Sequence, residues 1–67
     1  MHKIKIYING EEKEINEKST VQDVLNHIDI KSPMVVVEKN QEIIHQYDSC
    51  YLEEEDKLEI VSFFGGG

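Results

Sequence analysis

The start of the fold is set by residues 3–10, Lys3-Ile4-Lys5-Ile6-Tyr7-Ile8-Asn9-Gly10. Isoleucine alternates with other residues, so three isoleucines share one face of a half-buried strand. Asn9-Gly10 follows directly, and both residues tolerate the positive φ of a type I′ hairpin turn. We therefore expect a strand and a tight turn, then a mostly polar returning strand from Glu11 to Ile15 at a sheet edge.

A short amphipathic helix is predicted next. Ser19 and Gln22 fit a capping box, and Asp23 falls in the first turn, where a carboxylate favours the helix dipole. Apolar residues then recur at helical spacing, at Val21, Val24, Leu25 and Ile28. The loop from Asp29 to Ser32 and Pro33 end the predicted helix.

The second half of the chain predicts further strands. Met34 to Val37 indicates a buried strand, Lys39-Asn40-Gln41 a turn, and Ile43-Ile44 a short edge piece. Tyr47 to Leu52 stays ambiguous, because Asp48-Ser49 also suits a single helical turn. Glu53 to Asp56 predicts a solvated turn. In the last strand, Lys57 to Phe63, one face carries Leu58 and Ile60, and the other carries Val61 and Phe63.

Strands outnumber helices, which predicts an α+β domain with one helix covering one face of the sheet. The first and last strands are the most apolar and are candidates for the sheet centre. If they are neighbours, the helix-bearing crossover makes that pair parallel.

Composition excludes several functions. The chain has 67 residues with 14 acidic and 7 basic side chains, a net charge of −7 and no arginine. Nucleic acid and an anionic membrane surface are disfavoured, because both require clustered positive charge. A basic protein partner and simple solubility both remain open as reasons for the charge. Only 39% of the residues are apolar, so we expect a thin core and no deep catalytic pocket.

Side chains that could carry chemistry are few. The three histidines have no metal-ligand spacing, and His27 lies off the apolar stripe of the helix. Cys50 lies near Asp48 and Glu53, which disfavour a thiolate, so a partly buried core position is the expectation. The acidic run from Glu53 to Asp56 lacks the spacing of a calcium loop, and docking of a basic partner to it stays open.

We expect a cytoplasmic protein. The single cysteine forms no intramolecular disulfide, no signal-peptide pattern opens the chain, and the longest apolar runs are too short to span a bilayer.

The last residues are the most informative feature. Gly65, Gly66 and Gly67 directly follow an apolar strand, which predicts a folded domain over 1–63 and a flexible, narrow tail over 64–67. Such a tail can thread its carboxylate into another protein's active site. A frayed terminus is the alternative.

The element order resembles the ubiquitin-like β-grasp fold, with a mixed four- to five-stranded sheet and one main helix packed on one face. More narrowly, the chain resembles the ThiS family of thiamine-biosynthesis sulfur carriers. The resemblance rests on 4–10, the helix start at 19–21, Met34 to Val37, and above all Leu58-Glu59-Ile60-Val61-Ser62-Phe63-Phe64-Gly65-Gly66-Gly67. Two turns depart from the family pattern, where Gln41 and Glu55 replace the usual glycines, so the shapes of these turns are expected to differ.

The resemblance implies a carried substrate and not an enzyme. An adenylating enzyme of the ThiF or E1 type would use ATP and Mg²⁺ to activate the carboxylate of Gly67. A sulfur donor protein would then convert it to a thiocarboxylate that passes its sulfur to a ThiG-like thiazole synthase. The chain itself would bind no cofactor. Because nothing follows Gly67 in this sequence, no proteolytic trimming is expected.

Gly65 and Gly66 would provide access for the tail, and Val61, Phe63 and Phe64 are candidate contacts for the partner. Packing of these apolar side chains under a loop of their own domain is the alternative. Three other functions remain open: a carrier for another pathway such as molybdopterin synthesis, a ubiquitin-like protein modifier, and a β-grasp binding module with an inert tail.

Overall fold

The computed structural model describes residues 2–28 and 34–63, which form a five-stranded mixed sheet and one helix. The elements in chain order are β1 (Lys3–Ile8), β2 (Glu11–Asn16), α1 (Val21–His27), β3 (Met34–Lys39), β4 (Glu42–Ile44) and β5 (Lys57–Phe63). The strand order in the sheet is β2-β1-β5-β3-β4, with β1 and β5 parallel and the other pairs antiparallel. The predicted α+β architecture, the edge position of β2 and the parallel first and last strands are confirmed.

The core lies between α1 and one face of the sheet. Ile6, Val37 and Leu58 face it from three neighbouring strands and are at most 1% exposed. Val21 and Val24 of α1 close the core from the other side, and Leu52 enters it from the segment between β4 and β5. Burial of side chains of this size contributes roughly 1.5–3 kcal/mol each. The core is thin, as the composition predicts, and it leaves the opposite face of the sheet without a covering layer in the described residues.

The predicted capping box is wrong by one residue. Thr20 is the N-cap, and it exchanges hydrogen bonds with Asp23: the Asp23 N–H donates to Thr20 Oγ1 at 3.1 Å, and the Thr20 N–H donates to the Asp23 carboxylate at 3.0 Å. Ser19 is not free for this role, because its hydroxyl donates to the carbonyl of Asn16 at 2.7 Å. The helix ends at His27, and Ile28, predicted on its apolar face, is the exposed C-cap.

The expectation of a buried strand at Met34 to Val37 is also wrong in part. The strand continues to Lys39, and Met34 and Val36 are exposed, because they point to the sheet face opposite α1. The ambiguous segment at 47–52 forms no helix: residues 48–49 make a turn, and Tyr51 forms an isolated antiparallel bridge with Thr20.

The acidic turn before β5 is solvated at three of its four positions. Glu53, Glu54 and Glu55 are exposed, whereas Asp56 is buried. Its carboxylate accepts the Glu53 N–H at 2.8 Å, so it has an internal partner in place of water. The prediction of a solvated turn is therefore wrong for Asp56.

Candidate functional site at the end of strand β5

Strand β5 carries the chain toward residues 64–67 and is held unequally by its two neighbours. On one side, β3 pairs with it from Lys39↔Leu58 to Met34↔Phe63. On the other side, the parallel ladder with β1 has only two pairs, Tyr7↔Lys57 and Ile8↔Leu58. The first half of β5 is therefore fixed from both sides, and its second half is paired by backbone only to β3.

A turn residue extends the short ladder. Asn9 stands just beyond β1 at φ 50°, where its side chain reaches the backbone of β5. Its Oδ1 accepts the Ile60 N–H at 2.8 Å, and its Nδ2 donates to the Ile60 carbonyl at 3.2 Å. Both backbone groups of Ile60 on this side are thus satisfied by one amide side chain, which acts as a substitute for a further residue of β1.

A second asparagine fixes the beginning of β5 from the other side. Asn40, at φ 51° in the β3–β4 turn, accepts the Lys57 N–H at 3.0 Å and donates to Asp56 Oδ1 at 3.0 Å. Its own N–H donates to the Lys57 carbonyl at 2.8 Å. The two hairpin turns therefore both use an asparagine in the left-handed region to position β5.

The turns that lack the usual glycines still have left-handed backbone. Gln41 has φ 73° and Glu55 has φ 74°. These are the conformations that glycine adopts freely and that cost a side-chain-bearing residue about 1 kcal/mol or more. Gln41 and Glu55, which stand where the family usually has glycine, therefore hold a strained backbone conformation with positive φ.

An exposed apolar patch lies on the sheet face opposite the helix. Register places Val36 beside Val61 and Met34 beside Phe63, so all four side chains share this face. Val61 is 49% exposed and Phe63 47% exposed, as their predicted orientation requires. Ile43 on β4 lies on the same face, because it pairs with Glu38. We call Met34, Val36, Ile43, Val61 and Phe63 the outer apolar patch.

Two carboxylates border this patch. Glu38 and Glu59 are direct partners across β3 and β5 on the same sheet face. Like charges in directly opposite positions destabilise a sheet. Neither carboxylate forms an ion pair with another described residue. The patch therefore has a negative border on the side away from Phe63.

One surface ion pair ties β1 to the acidic turn. Lys5 Nζ lies 3.3 Å from Glu55 Oε1, and the Glu55 N–H donates to the Lys5 carbonyl at 2.7 Å. The hydrogen bond to Glu55, followed by the charge of that carboxylate, raises the pKa of Lys5 above its ordinary value. Both side chains are well exposed, so solvent screening leaves the pair little effect on stability.

No catalytic constellation is present among the described residues. His2, His27 and His45 are exposed, and Cys50 is partly buried against the core, as predicted for His27 and Cys50. No group of three or more His, Cys, Asp or Glu in residues 2–28 and 34–63 is arranged to hold a metal ion. A groove of ≈ 520 Å³ between α1 and the β1–β2 hairpin is lined by mixed residues such as Lys3, Ile15 and Asp23. Within the described part of the chain, no helix is long and apolar enough to cross a membrane.

Two of the predicted site residues are described by the structure, and the other four lie outside the described residues. Val61 and Phe63 lie together in the outer apolar patch. Phe64, Gly65, Gly66 and Gly67 lie outside the described residues, as does the predicted boundary between domain and tail.

Sequence reasoning missed the roles of Asn9, Asn40 and Asp56, because each was assigned only to a turn. The available signal was that both hairpin turns begin with asparagine, whose amide can donate and accept hydrogen bonds at once.

Comparison with known proteins gives concordant matches. The ThiS family model matches residues 6–67. The sulfur carrier protein ThiS of Bacillus subtilis (strain 168) is 37% identical over 65 residues, covering 92% of this chain and 98% of the relative. The crystal structure of the thiamine biosynthesis protein ThiS from Geobacter metallireducens matches with a TM-score of 0.79 and 25% identity, over 96% of this chain and 100% of the other. This structural match confirms the predicted β-grasp fold.

A longer relative also contains a matching segment. The thiazole synthase of Paramagnetospirillum magneticum is 41% identical over 66 residues, which are 96% of this chain and 20% of that protein. The chain therefore spans about a fifth of the length of this relative.

Proposed function

The chain belongs to the ThiS family, and on that basis we propose that it is a sulfur carrier for thiamine biosynthesis. Support comes from the Bacillus subtilis relative, which is named a sulfur carrier and has nearly the same length. The structural observation that carries the proposal is the position of β5. This strand lies inside the sheet, ends beside an exposed apolar patch, and is followed in the sequence by Gly65, Gly66 and Gly67.

The reacting group in this proposal is the carboxylate of Gly67. A carboxylate resists substitution, because its leaving group would be oxide. An adenylating enzyme of the ThiF type uses ATP and Mg²⁺: a carboxylate oxygen attacks the α-phosphorus, pyrophosphate leaves, and an acyl-adenylate forms. The terminal sulfur of a persulfide on the donor protein then attacks the acyl carbon and AMP leaves. A thiol reductant cleaves the remaining S–S bond, which releases the thiocarboxylate.

The contribution of this chain is to present the carboxylate of Gly67 to the active site of a partner. Glycines at 65–67 carry no side chain that could clash in a narrow active site. The outer apolar patch provides an area that a partner can cover. Val61 and Phe63 are each about half exposed, and binding of a partner would bury this apolar surface. The chain acts as a substrate of its partners and not as an enzyme.

A thiazole synthase is the proposed sulfur acceptor. The support is the thiazole synthase of Paramagnetospirillum magneticum, in which a segment similar to this chain forms a fifth of the protein. A segment similar to this chain within the same polypeptide as a thiazole synthase is consistent with direct transfer between the two proteins.

The decisive experiment is intact mass spectrometry after incubation with the ThiF-type enzyme of the same organism, ATP, Mg²⁺, a persulfide donor and a thiol reductant. We expect the mass to rise by the difference between one sulfur and one oxygen, localised by fragmentation to Gly67. Gly67→Ala and a one-residue extension should remain unloaded with an unchanged fold. Loading of either variant, or isopeptide adducts with lysines in place of the sulfur product, would contradict the proposal.

Docking through the outer apolar patch is tested separately. Val61→Asp should weaken partner binding and slow loading, because it places a charge where apolar surface is buried. Tyr51→Asp is the matched control, since Tyr51 is 61% exposed and lies outside the patch. Equal loading rates for the two variants would exclude the patch as the docking surface.

A further inference from the structure

Two asparagines hold β5 in nearly the same way but at different points along the strand. Asn9 and Asn40 each occupy a hairpin turn, at φ 50° and 51°, and the backbone N–H of each donates to a carbonyl of β5 at 2.8 Å. Each side chain adds two hydrogen bonds. Those of Asn40 reach Asp56 and Lys57, where β5 begins. Those of Asn9 both reach Ile60, in the middle of the strand. Asn9 therefore restrains β5 closer to its end.

The contact to Ile60 falls where β5 loses its second neighbour. The parallel ladder with β1 ends at Leu58, whereas the pairing with β3 continues to Phe63. A segment held by fewer hydrogen bonds opens locally at a lower free-energy cost. The Asn9 amide fixes β5 from the β1 side between the end of the ladder and Phe63, which is the last described residue.

The orientation of the end of β5 is important for the proposed function. The reacting carboxylate belongs to Gly67, and residues 64–67 connect it to Phe63. Four fully extended residues span at most about 14 Å. Because the connection is this short, the place and direction in which β5 ends limit where the carboxylate can be delivered. Bond formation is sensitive to such placement, since a misplacement of about 1 Å can cost about 100-fold in rate.

We propose that Asn9 is a positioning residue for the adenylation of Gly67. In this step a carboxylate oxygen of Gly67 attacks the α-phosphorus of ATP and pyrophosphate leaves. The role rests on the sulfur-carrier function proposed above. Asn9 acts through β5: its two bonds to Ile60 hold the end of the strand in the orientation from which the tail enters the active site of the enzyme.

Positioning and docking are separable in this structure. Three members of the outer apolar patch, Met34, Val36 and Ile43, lie on β3 and β4, which the Asn9 side chain does not bond. A chain without the Asn9 amide therefore keeps much of the surface proposed for docking. We expect the loss of this amide to slow adenylation within the complex more than it weakens the complex.

Pyrophosphate release in the first turnover tests this role, with the ThiF-type enzyme, ATP and Mg²⁺ in excess over the chain. An enzyme titration gives the maximum rate and the half-saturating enzyme concentration. For Asn9→Gly we expect the maximum rate to fall about 3- to 10-fold, the factor that corresponds to one net hydrogen bond, and the half-saturating concentration to change less than about 2-fold. Asn9→Asp keeps the acceptor for the Ile60 N–H and should recover part of the rate. Circular dichroism verifies that each variant is folded at the assay temperature.

Asn40→Gly is the matched control. It also removes two side-chain bonds from an asparagine with left-handed backbone, but it loosens the beginning of β5 and not its end. We expect it to lose at least as much stability and to keep the wild-type maximum rate. Equal rate losses in Asn9→Gly and Asn40→Gly would overturn the positioning role, because the cause would then be general stability. A wild-type maximum rate for Asn9→Gly, or a change in the half-saturating concentration alone, would also overturn it.

Hydrogen exchange in the free chain provides a reading that does not depend on the enzyme. Val61 follows Ile60 and directs its amide to β3, because successive residues of a strand point to opposite sides. At equal free energies of unfolding, this amide should exchange faster in Asn9→Gly than in Asn40→Gly, since only the first variant loosens the end of β5 locally. Equal exchange rates would contradict the positioning role.

Failure of the carrier function has a different signature. A wild-type chain that releases no pyrophosphate with an enzyme active on a control carrier would refute the carrier function, and the positioning role with it. A wild-type chain that loads normally, together with an Asn9→Gly variant that loads equally fast, would refute the positioning role alone. If Asn9→Gly does not fold, Asn9→Asp is compared with Asn40→Asp in the same two assays.

Discussion

Replacement of Asn9 by glycine isolates the contribution of its side chain. Glycine adopts φ 50° without strain, so the hairpin turn is preserved while both bonds to Ile60 are lost. A net hydrogen bond contributes about 0.5–1.5 kcal/mol, which gives about 1–3 kcal/mol for the two. We expect a loss near the middle of this range, about 2 kcal/mol, in the free energy of unfolding.

This loss corresponds to a fall in Tm of about 8–16 °C for a domain of this size. Urea and thermal unfolding followed by far-UV circular dichroism measure it. Asn9→Asp keeps the acceptor for the Ile60 N–H but not the donor, so its stability should fall between the wild type and Asn9→Gly. The Ile60 amide should also lose its protection from hydrogen exchange in Asn9→Gly.

Two results would refute the reasoning about Asn9. One is a stability of Asn9→Gly within about 0.5 kcal/mol of the wild type, the range of ordinary surface substitutions. The other is an Ile60 amide that remains as protected as before, which would mean that a different group satisfies it.

Three further predictions concern the turns and the sheet face. Gln41→Gly should stabilise the domain by about 0.5–1 kcal/mol in urea unfolding, because relief of the positive φ exceeds the added freedom of the unfolded chain; a loss of stability would contradict this. Asp56→Ala should destabilise by about 2–4 kcal/mol, since it removes two charge-assisted hydrogen bonds at a buried position; an unchanged Tm would show that water replaces them. Glu59→Gln should stabilise by about 0.2–1 kcal/mol in low salt by ending its repulsion with Glu38, and the gain should shrink in high salt.

Local patterns were sufficient to predict most elements. The alternation in residues 3–8 and 57–63 predicted β1 and β5, and Asn9-Gly10 predicted the tight turn between β1 and β2. The parallel pairing of β1 and β5 followed on the condition that the two are neighbours, because neighbouring strands joined by a helix-bearing crossover are parallel.

One error arose where several groups compete for one interaction. Ser19 and Thr20 are both good N-cap residues, and the choice depends on the carbonyl of Asn16, which binds the Ser19 hydroxyl. A second error has a different cause. The consecutive apolar residues Met34 to Val37 suggested a buried strand. Only the position of α1 decides that one face is exposed, and this places Met34 and Val36 beside the end of β5.

The sequence by itself determined the class of fold, the resemblance to the sulfur carriers and the glycines that follow β5, because these depend on periodicity and on residue order. The tertiary structure alone decided how β5 is held. Asn9 and Ile60 are 51 residues apart in the chain, and Asn40 and Asp56 are 16 apart. No local pattern encodes contacts over such separations, since they form only when the sheet brings two turns against one strand. The same physical reason applies to the short ladder between β1 and β5, because its length depends on where β1 ends beside β5.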